Sequence, residues 1–577
     1  MNEAKARMGL GGTDWRRSLL DVFSRRGVRG TGYGLVVVFF IFLVLLPTLF
    51  VLSYLFTGWN DIQTVVLADP AKMDIIWNAI GLSFGVAFFV TFLDLIFGLP
   101  LAWFIVRRNF RGKSLLNTII DSPLAVPTAG LGISVVLFWG VIPNLANRPA
   151  GAWSLFGGTS SPFWILVLLH LTTTFPYMVR SLAAILDEID LEYETAARIS
   201  GASKLTAART ITLPMFRSGL ATGAILCLAK ALSETGGVMA ALTLISGRVL
   251  DENSALNGTA LIGVWKGSYD AGTSALLPAL TFVSVLMILF SLLLLVLVKV
   301  LTLKFHIPWK KVWPSAEARL SKGAAPRVRD GATFFFLAIM VLVPSFFIAA
   351  YMATSSPTQG VDWGMFTNGL LLSFGIAAAA TAVDLLLGIP LAVLIARGKF
   401  KRLGGILDTL VNIPYIVPSA ALGLSLGFFY RNMGIRGFDI LLVTLAHVAF
   451  TFPFVVRNVV GGLEGLDRGY EDTARTLGAR PFQAFRKIIF PLIKPSILAG
   501  AIMAFTRSIG ETGATISVSG NVQTAPVLIV NYIKQDPSTL RPRDLYTAGL
   551  LIAVLSIVTF VAILLMRFVT RRRRKNA

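Results

Sequence analysis

The sequence predicts an all-α membrane protein with twelve transmembrane helices arranged as two parallel six-helix repeats. Three observations carry that prediction. Apolar runs long enough to cross a bilayer recur from end to end, basic residues alternate between the segments joining them, and the second half of the chain repeats motifs of the first.

Of the 577 residues, 55% are hydrophobic and only 14% are charged, with a mean hydropathy of +0.74. A soluble globular chain carries about a quarter charged residues. A membrane span takes about 20 apolar residues. Runs of that kind lie near 33–56, 75–106, 116–142, 163–185, 215–247 and 275–300, and again near 333–354, 366–396, 408–430, 440–462, 493–520 and 545–569. The first run, Tyr33 to Phe56, is longer than the ~7–15-residue core of a cleavable signal, so it reads as a retained helix. The single Cys227 excludes an intrachain disulfide, and with only three His in the chain a structural metal cluster is not expected.

The net charge of +22 would suggest nucleic-acid binding in a soluble protein, but the placement of the charges points to a bilayer. With the N-terminus inside, the segments expected in the cytoplasm hold 41 Lys and Arg. The segments expected outside hold nine, Lys266 and Lys534 among them. That bias is the positive-inside pattern and puts both termini in the cytoplasm of a multi-pass protein of the cell (inner) membrane. The basic ends, Arg25-Arg26 and Arg571 to Lys575, read as anchors at anionic headgroups and not as nucleic-acid contacts.

The repeat is direct. Asn78 to Gly98 and Asn368 to Gly388 share one pattern 290 residues apart, and each continues into Gly-x-Pro-Leu-Ala. His170-x4-Phe175-Pro176-x3-Arg180 recurs at His447, Phe452, Pro453 and Arg457, 277 residues on. Six spans per half is an even number, so both halves enter the membrane in the same sense and a path at their interface follows. The expected division is a basic N-terminus (1–32), a first half (33–300), a linker rich in Lys, Arg, Pro and Ala (301–332), a second half (333–569) and a basic tail (570–577).

The loop between the fourth and fifth spans of each half is the most informative segment. The first copy, 193–214, runs Tyr193-Glu194-Thr195-Ala196-Ala197-Arg198-Ile199-Ser200-Gly201-Ala202 and ends Ile211-Thr212-Leu213-Pro214. The second, 470–491, runs Tyr470-Glu471-Asp472-Thr473-Ala474-Arg475-Thr476-Leu477-Gly478-Ala479 and ends Ile488-Ile489-Phe490-Pro491. Acidic residues followed by Ala and Arg favour a short helix, and Gly suits its C-terminal cap. Pro is suited to open the next helix, where its missing N–H costs nothing. A short exposed helix fits a groove on a soluble partner, and two such helices imply two similar grooves.

This arrangement resembles the EAA loop of ABC importer permeases, E-A-A-x3-G-x9-I-x-L-P, and it occurs twice at equivalent places. Thr195 stands at the family's Glu position with Glu194 just before it, and Asp472 and Thr473 replace Glu and the first Ala in the second copy. The resemblance implies the type I importer fold. It also implies that each loop docks on one of two ATPase subunits through Glu194, Thr195, Ala196, Ala197, Gly201 and Pro214 in one half. In the other half the residues are Glu471, Asp472, Ala474, Gly478 and Pro491. ATP and Mg then belong to the ATPase, with no cofactor in this chain. A phosphate-cradling loop takes Gly-x4-Gly-Lys-Ser/Thr. Gly112-Lys113-Ser114 mimics its end, but position 107 is Arg.

Ionisable residues inside spans are costly and face a cavity or one another. Lys230 and Glu234 lie four apart in the fifth span, and Arg507 and Glu511 hold the same places in the eleventh. That spacing puts each pair on one helix face. Two readings stand: mutual neutralisation that fixes packing, or a lining of the path that helps an anion through. Asp94 and Asp384, four residues before Gly-x-Pro, read as structural groups at a kink. Pro123, Pro127, Pro414 and Pro418 suggest broken helices. His170 and His447 read as packed or hydrogen-bonded side chains.

The segment Ala504-Phe505-Thr506-Arg507-Ser508-Ile509-Gly510-Glu511-Thr512-Gly513-Ala514 is similar to A-F-A-R-x-x-G-E-x-G-A of sulfate and molybdate permeases. The first half has the looser Ala229-Lys230-Ala231-Leu232-Ser233-Glu234-Thr235-Gly236. A cation midway along a span suits a tetrahedral oxyanion. Fused halves are more familiar among iron(III) and thiamine permeases, which keeps those substrates open beside sulfate, molybdate, tungstate and phosphate. An extracytoplasmic binding protein is the expected donor. A secondary transporter is the alternative class, but it would not need two docking loops. A membrane enzyme would need converging catalytic groups, and none are apparent in the sequence.

Overall fold

The computed structural model of the protein describes residues 26–140, 161–247, 249–304, 313–354, 360–398, 401–534 and 544–574. The basic residues before Arg26 and Lys575 lie outside the described residues, as do Arg148, Arg248, Arg541 and Arg543. Among the described residues nine helices are long and apolar enough to cross a membrane, or up to twelve if each of three bent helix pairs is one span.

The first half comprises α1 (Gly30–Thr57), α2 (Pro70–Arg107), α3 (Lys113–Ala125), α4 (Thr128–Trp139) and α5 (Pro162–Asp187). It continues with α6 (Leu191–Ile199), α7 (204–233), α8 (Gly236–Ser246), α9 (Gly258–Asp270) and α10 (Leu277–Lys304). A short helix, α11 (Pro314–Leu320), follows. The second half repeats the order: α12 (Ala325–Thr354), α13 (Trp363–Arg397), α14 (Arg402–Ile416), α15 (Ser419–Asn432) and α16 (Asp439–Glu464). It closes with α17 (Gly469–Thr476), α18 (Pro481–Ile509), α19 (Gly513–Val518), α20 (Ala525–Ile533) and α21 (Leu545–Arg574). Helices α1 to α10 have counterparts in α12 to α21, whereas α11 and the short helical stretch Trp59–Leu67 after α1 have none among the described residues. Against the sequence expectation, helix already starts at Arg26. Helix α12 starts inside the expected linker because Pro326 occupies its first turn, a position where the missing N–H costs nothing.

Bends decide the centre. Helices α3 and α4 meet at 100° and α14 and α15 at 106°, at Pro127 and Pro418, where the residue before proline is forced out of helical geometry. Thus 116–142 and 408–430 are not straight spans. The twelve residues of α4 reach only about 18 Å at 1.5 Å per residue, short of a ~30 Å hydrocarbon core. Residues Ala129 to Trp139 are all buried, which places α4 among other helices and not against lipid. The fifth span breaks at Glu234 with a 52° bend between α7 and α8.

Four π-helical turns end two residues before a proline: Ile41–Leu45 before Pro47, Ala208–Thr212 before Pro214, Leu337–Leu342 before Pro344, and Phe485–Ile489 before Pro491. A wide turn there removes the clash of the ring with the carbonyl four residues back. Helix therefore runs through all four prolines. Pro214 and Pro491 do not open their helices, as the sequence suggested; α7 begins at Lys204 and α18 at Pro481. The Leu43 carbonyl, four before Pro47, accepts from the Tyr430 hydroxyl at 3.0 Å.

The first helices are exchanged between halves. Helix α1 packs on α13, α15 and α16, and α12 packs on α2, α4 and α5. The Ser425 hydroxyl donates to Pro47 O (2.7 Å) and accepts from Val51 N (2.8 Å). Ser134 accepts from Ile348 N (2.9 Å) at the equivalent seam. Phe40 stacks on Phe452, and Phe336 on Phe97, with centroids 5.5 and 4.0 Å apart.

Helices α9 and α20 occupy stretches that the sequence reading left as loops. Their N-termini rest on Ser83 and Ser373, which accept from Gly258 N and Ala525 N at 2.8 Å. Lys266, expected in an outer loop, is buried in α9 and pairs with Asp270 one turn on.

Candidate docking helices and central ion pairs

The short helices α6 and α17 form because an acidic first turn meets the helix dipole and glycine closes the other end. Gly201 (φ +94°) and Gly478 (φ +86°) are left-handed. The turn then closes with Ala202 N donating to Ala197 O at 3.0 Å and Ala479 N to Ala474 O at 2.9 Å. A side chain at either glycine would meet no neighbour within 4 Å, so φ alone requires glycine there.

Each helix presents apolar groups away from the bundle. Ile199 and Leu477 are both 83% exposed, and Tyr193 and Tyr470 are more than half exposed. The sequence reading singled out the small and acidic residues and missed these four. The signal was available, since large apolar side chains on a short polar helix need a cover. Thr195, Ala196 and Asp472 are exposed with them, whereas Ala197 is partly buried and Ala474 is buried.

Of the acidic residues, Glu194 faces the bundle. Glu194 forms an ion pair with Arg107, whose Nε lies 3.1 Å from Oε1, and accepts from the Thr212 hydroxyl (2.9 Å). Arg107, at the end of α2, also donates to Ile189 O at 3.0 Å. In the second half Arg397 donates to Leu463 O and Leu466 O at 2.7 and 2.6 Å, while Glu471 pairs with Arg475 at 3.4 Å. Farther in, Arg180 grips Asp121 (2.5 Å) and Asn117 (2.7 Å) of α3. Arg457 grips Asn412 and Asp408 of the second half at 2.8 Å each. The acid and the amide exchange places between halves, yet the guanidinium fork holds both sets.

At the centre the structure brings together the two ion pairs. Lys230 Nζ lies 2.5 Å from Glu234 Oε2, and Arg507 Nη1 lies 2.7 Å from Glu511 Oε2. The second oxygen of each glutamate caps the next helix: Glu234 Oε1 accepts from Gly237 N (3.2 Å) and Glu511 Oε1 from Ala514 N (3.0 Å). Each glutamate thus ties the cation before the break to the helix after it. Across the interface, Arg507 lies within electrostatic reach of Glu234, and Lys230 of Glu511. Arg507 also covers the Phe450 ring at 5.3 Å, a cation–π contact.

Close packing frames these pairs. A Cβ on Gly513 would lie 2.5 Å from Thr235 Cβ, and one on Gly236 2.5 Å from Thr512 Oγ1, so the two breaks meet glycine to threonine across the halves. His447 bridges its break, with Nδ1 2.7 Å from Ser508 Oγ and Nε2 2.9 Å from Thr515 Oγ1. His170 lies 3.0 Å from Ala231 O and 2.6 Å from Leu166 O. Asp94 and Asp384 do not act at the prolines ahead of them. Each accepts from a threonine of the neighbouring helix, Thr174 at 2.5 Å and Thr451 at 2.6 Å. Before the break, Phe505, Thr506 and Arg507 are partly exposed; from Glu511 to Thr515 every residue is buried.

Two parallel helical bundles around broken, ion-paired central helices, with a pair of exposed helices at one end, define a transport permease. The chain belongs to the family of binding-protein-dependent transport system inner membrane components, whose family model matches residues 94–306 and 388–575, once in each half. It is 32% identical over 208 residues to the sulfate transport system permease protein CysT of Salmonella typhimurium, covering 33% of this chain and 74% of the relative. It is 33% identical over 183 residues to the molybdenum transport system permease protein ModB of Mycobacterium bovis, covering 28% and 69%. A sulfate permease protein CysW of Synechococcus elongatus is 28% identical over 283 residues, covering 45% and 96%. Each relative is matched in most of its own length by less than half of this chain, as expected if one chain carries both halves of a transporter.

Proposed function

We propose that the chain is the complete membrane part of an ATP-driven importer. Helices α6 and α17 each seat in a groove of one of two ATPase subunits on the cytoplasmic side of the inner membrane, where both termini lie. An extracytoplasmic binding protein delivers substrate at the opposite end. The observation that supports this reading most is the repeated exposed helix, apolar at Ile199 and Leu477 and braced to the bundle through Glu194. ATP and Mg reside on the partner subunits. Closure of the ATPase dimer draws α6 and α17 together and rocks the halves about the breaks at Glu234 and Glu511.

The substrate class this reading favours is an inorganic oxyanion: sulfate, molybdate or tungstate, with phosphate next. The permeases of similar sequence, named for sulfate and molybdenum, support it, as do the cations Lys230 and Arg507 beside the central breaks. Because Glu234 and Glu511 neutralise those cations, an oxyanion enters by replacing a carboxylate at the guanidinium or ammonium group. The test is ATP turnover of the reconstituted complex with the binding protein loaded with each anion in turn. Arg507→Ala is expected to lower oxyanion-stimulated turnover at least tenfold, about the 1.4 kcal/mol of one charge-assisted contact. Full stimulation assigns Arg507 to helix packing, and stimulation by iron(III) or thiamine alone overturns the substrate.

A further inference from the structure

Helix α11 lies in the segment joining the two halves and has no counterpart among the described residues. It is not a free tether. Glu317 is 4% exposed, and both of its oxygens are engaged by residues that lead from docking helix α6 into α7. Thr206 Oγ1 donates to Oε2 at 2.6 Å, Arg209 Nη2 lies 2.6 Å from Oε1, and Trp313 N donates to Oε1 at 3.4 Å. Ser321 Oγ, just past α11, accepts from Leu205 N at 3.0 Å. Leu205 N is one of the N-terminal amides of α7 that no residue of its own helix can satisfy. The linker therefore completes the cap that Ser203 begins by accepting from Thr206 N at 3.1 Å.

The matching helix of the second half starts differently. Phe482 stands at the place of Leu205, and Pro481 just before it brings no N–H to the start of α18. Gln483, at the place of Thr206, turns back to accept from Arg480 N at 3.1 Å. Arg486, at the place of Arg209, is exposed, whereas the Arg209 side chain is 22% exposed under α11. The start of α7 leans on the linker, whereas the start of α18 carries a proline and a capping glutamine of its own.

We propose that the linker is a working part of the first docking site. Helix α11, through the positioning residues Glu317 and Ser321, holds the start of α7 and with it the angle at which α6 meets its ATPase, so the two docking sites are unequal and only the first depends on the linker. This rests on the reading of α6 and α17 as docking helices, and the experiment separates the two ideas.

Hydrogen–deuterium exchange on the intact chain in lipid nanodiscs tests the clamp with no partner present. In Glu317→Gln combined with Ser321→Ala, amides of 191–209 are expected to exchange about tenfold faster, the equivalent of one charge-assisted contact, with 469–486 unchanged. Unchanged exchange in 191–209, or equal loosening of both loops, overturns the proposal. Cross-linking then tests docking, in a Cys227→Ser background, from Ile199→Cys and Leu477→Cys to the co-purified ATPase. The linker variant is expected to lower the yield from position 199 at least threefold and to leave position 477 unaffected. The exchanged pair Arg209→Glu with Glu317→Arg is expected to restore it, which a loss of folding would not allow. Loss at both positions, or at neither, overturns the asymmetry. Absence of cross-links at both positions in the chain with an unaltered linker overturns the docking reading, and the exchange result still decides the clamp.

Discussion

Gly423 and Gly427 lie one turn apart on α15, and their surroundings predict opposite outcomes for the same substitution. A Cβ on Gly423 would stand 2.5 Å from Ala514 O and 2.8 Å from Ala514 Cα. Carbon–oxygen contacts between helices settle at about 3.3–3.6 Å, so α15 and α19 must part by about 1 Å. Both obstructing atoms are backbone and cannot rotate aside. Overpacking of this kind costs about 1–3 kcal/mol. The cost falls on the residue whose N–H donates to the Glu511 carboxylate at 3.0 Å, so the Arg507–Glu511 pair loosens as well. A Cβ on Gly427 would lie 3.5 Å from Val518 Cα and 3.6 Å from its carbonyl, an ordinary contact, and gains up to about 1 kcal/mol of helix propensity. Thermal unfolding of the purified protein, followed by tryptophan fluorescence, is expected to put the Gly423→Ala midpoint several degrees below wild type. The Gly427→Ala midpoint is expected at or above wild type. Equal midpoints for the two variants would refute the close-packing argument, and with it the view that small residues set the geometry of the breaks.

Other outcomes follow from the same geometry. Gly201→Val or Gly478→Val forces a β-branched residue into left-handed backbone at a cost of about 1–2 kcal/mol. Membrane insertion should persist while ATPase co-purification falls; unchanged co-purification counts against the docking helices. Ile199→Asp or Leu477→Asp leaves the fold intact, since both side chains are 83% exposed, and should weaken ATPase binding by tenfold or more, read by pull-down from membranes. Glu317 carries a pH signature. The Thr206 hydroxyl first, and then Trp313 N–H and Arg209, hold its carboxyl below the ordinary value of 4.5. A depressed carboxylate stabilises the linker clamp fully above that value and loses its effect as pH falls below it through the folded value. Exchange in 191–209 should therefore quicken below about pH 4.5 in wild type, and a flat profile sinks the assignment.

The class of fold was legible in the sequence because a bilayer imposes simple rules. Backbone groups in hydrocarbon must be satisfied within a helix, so apolar runs reveal the spans and Lys and Arg reveal the loops. The repeat was legible as well, since Asp94 and Asp384, His170 and His447, and the two docking loops recur at fixed offsets. Spacing alone paired Lys230 with Glu234 and Arg507 with Glu511, because four residues on a helix share a face. Gly201 and Gly478 announced the end of each docking helix through the backbone they require.

What the chain could not reveal by local pattern was decided by contacts between segments far apart in it. Helix α9 and helix α20 read as loops because they are short and carry polar residues such as Lys266 and Asn531; burial between the halves makes them helices. Pro214 and Pro491 looked like helix starts, but a π turn before each lets the helix pass through. The exchange of α1 and α12 left no trace in hydropathy, since a helix packed on its own half or the other is equally apolar. Nor could composition distinguish a basic, proline-containing linker in solvent from one clamped to α7. Local sequence settles what each segment can become, because its rules act within a few residues. Which segments touch is settled only when the whole surface of each helix is matched against every other.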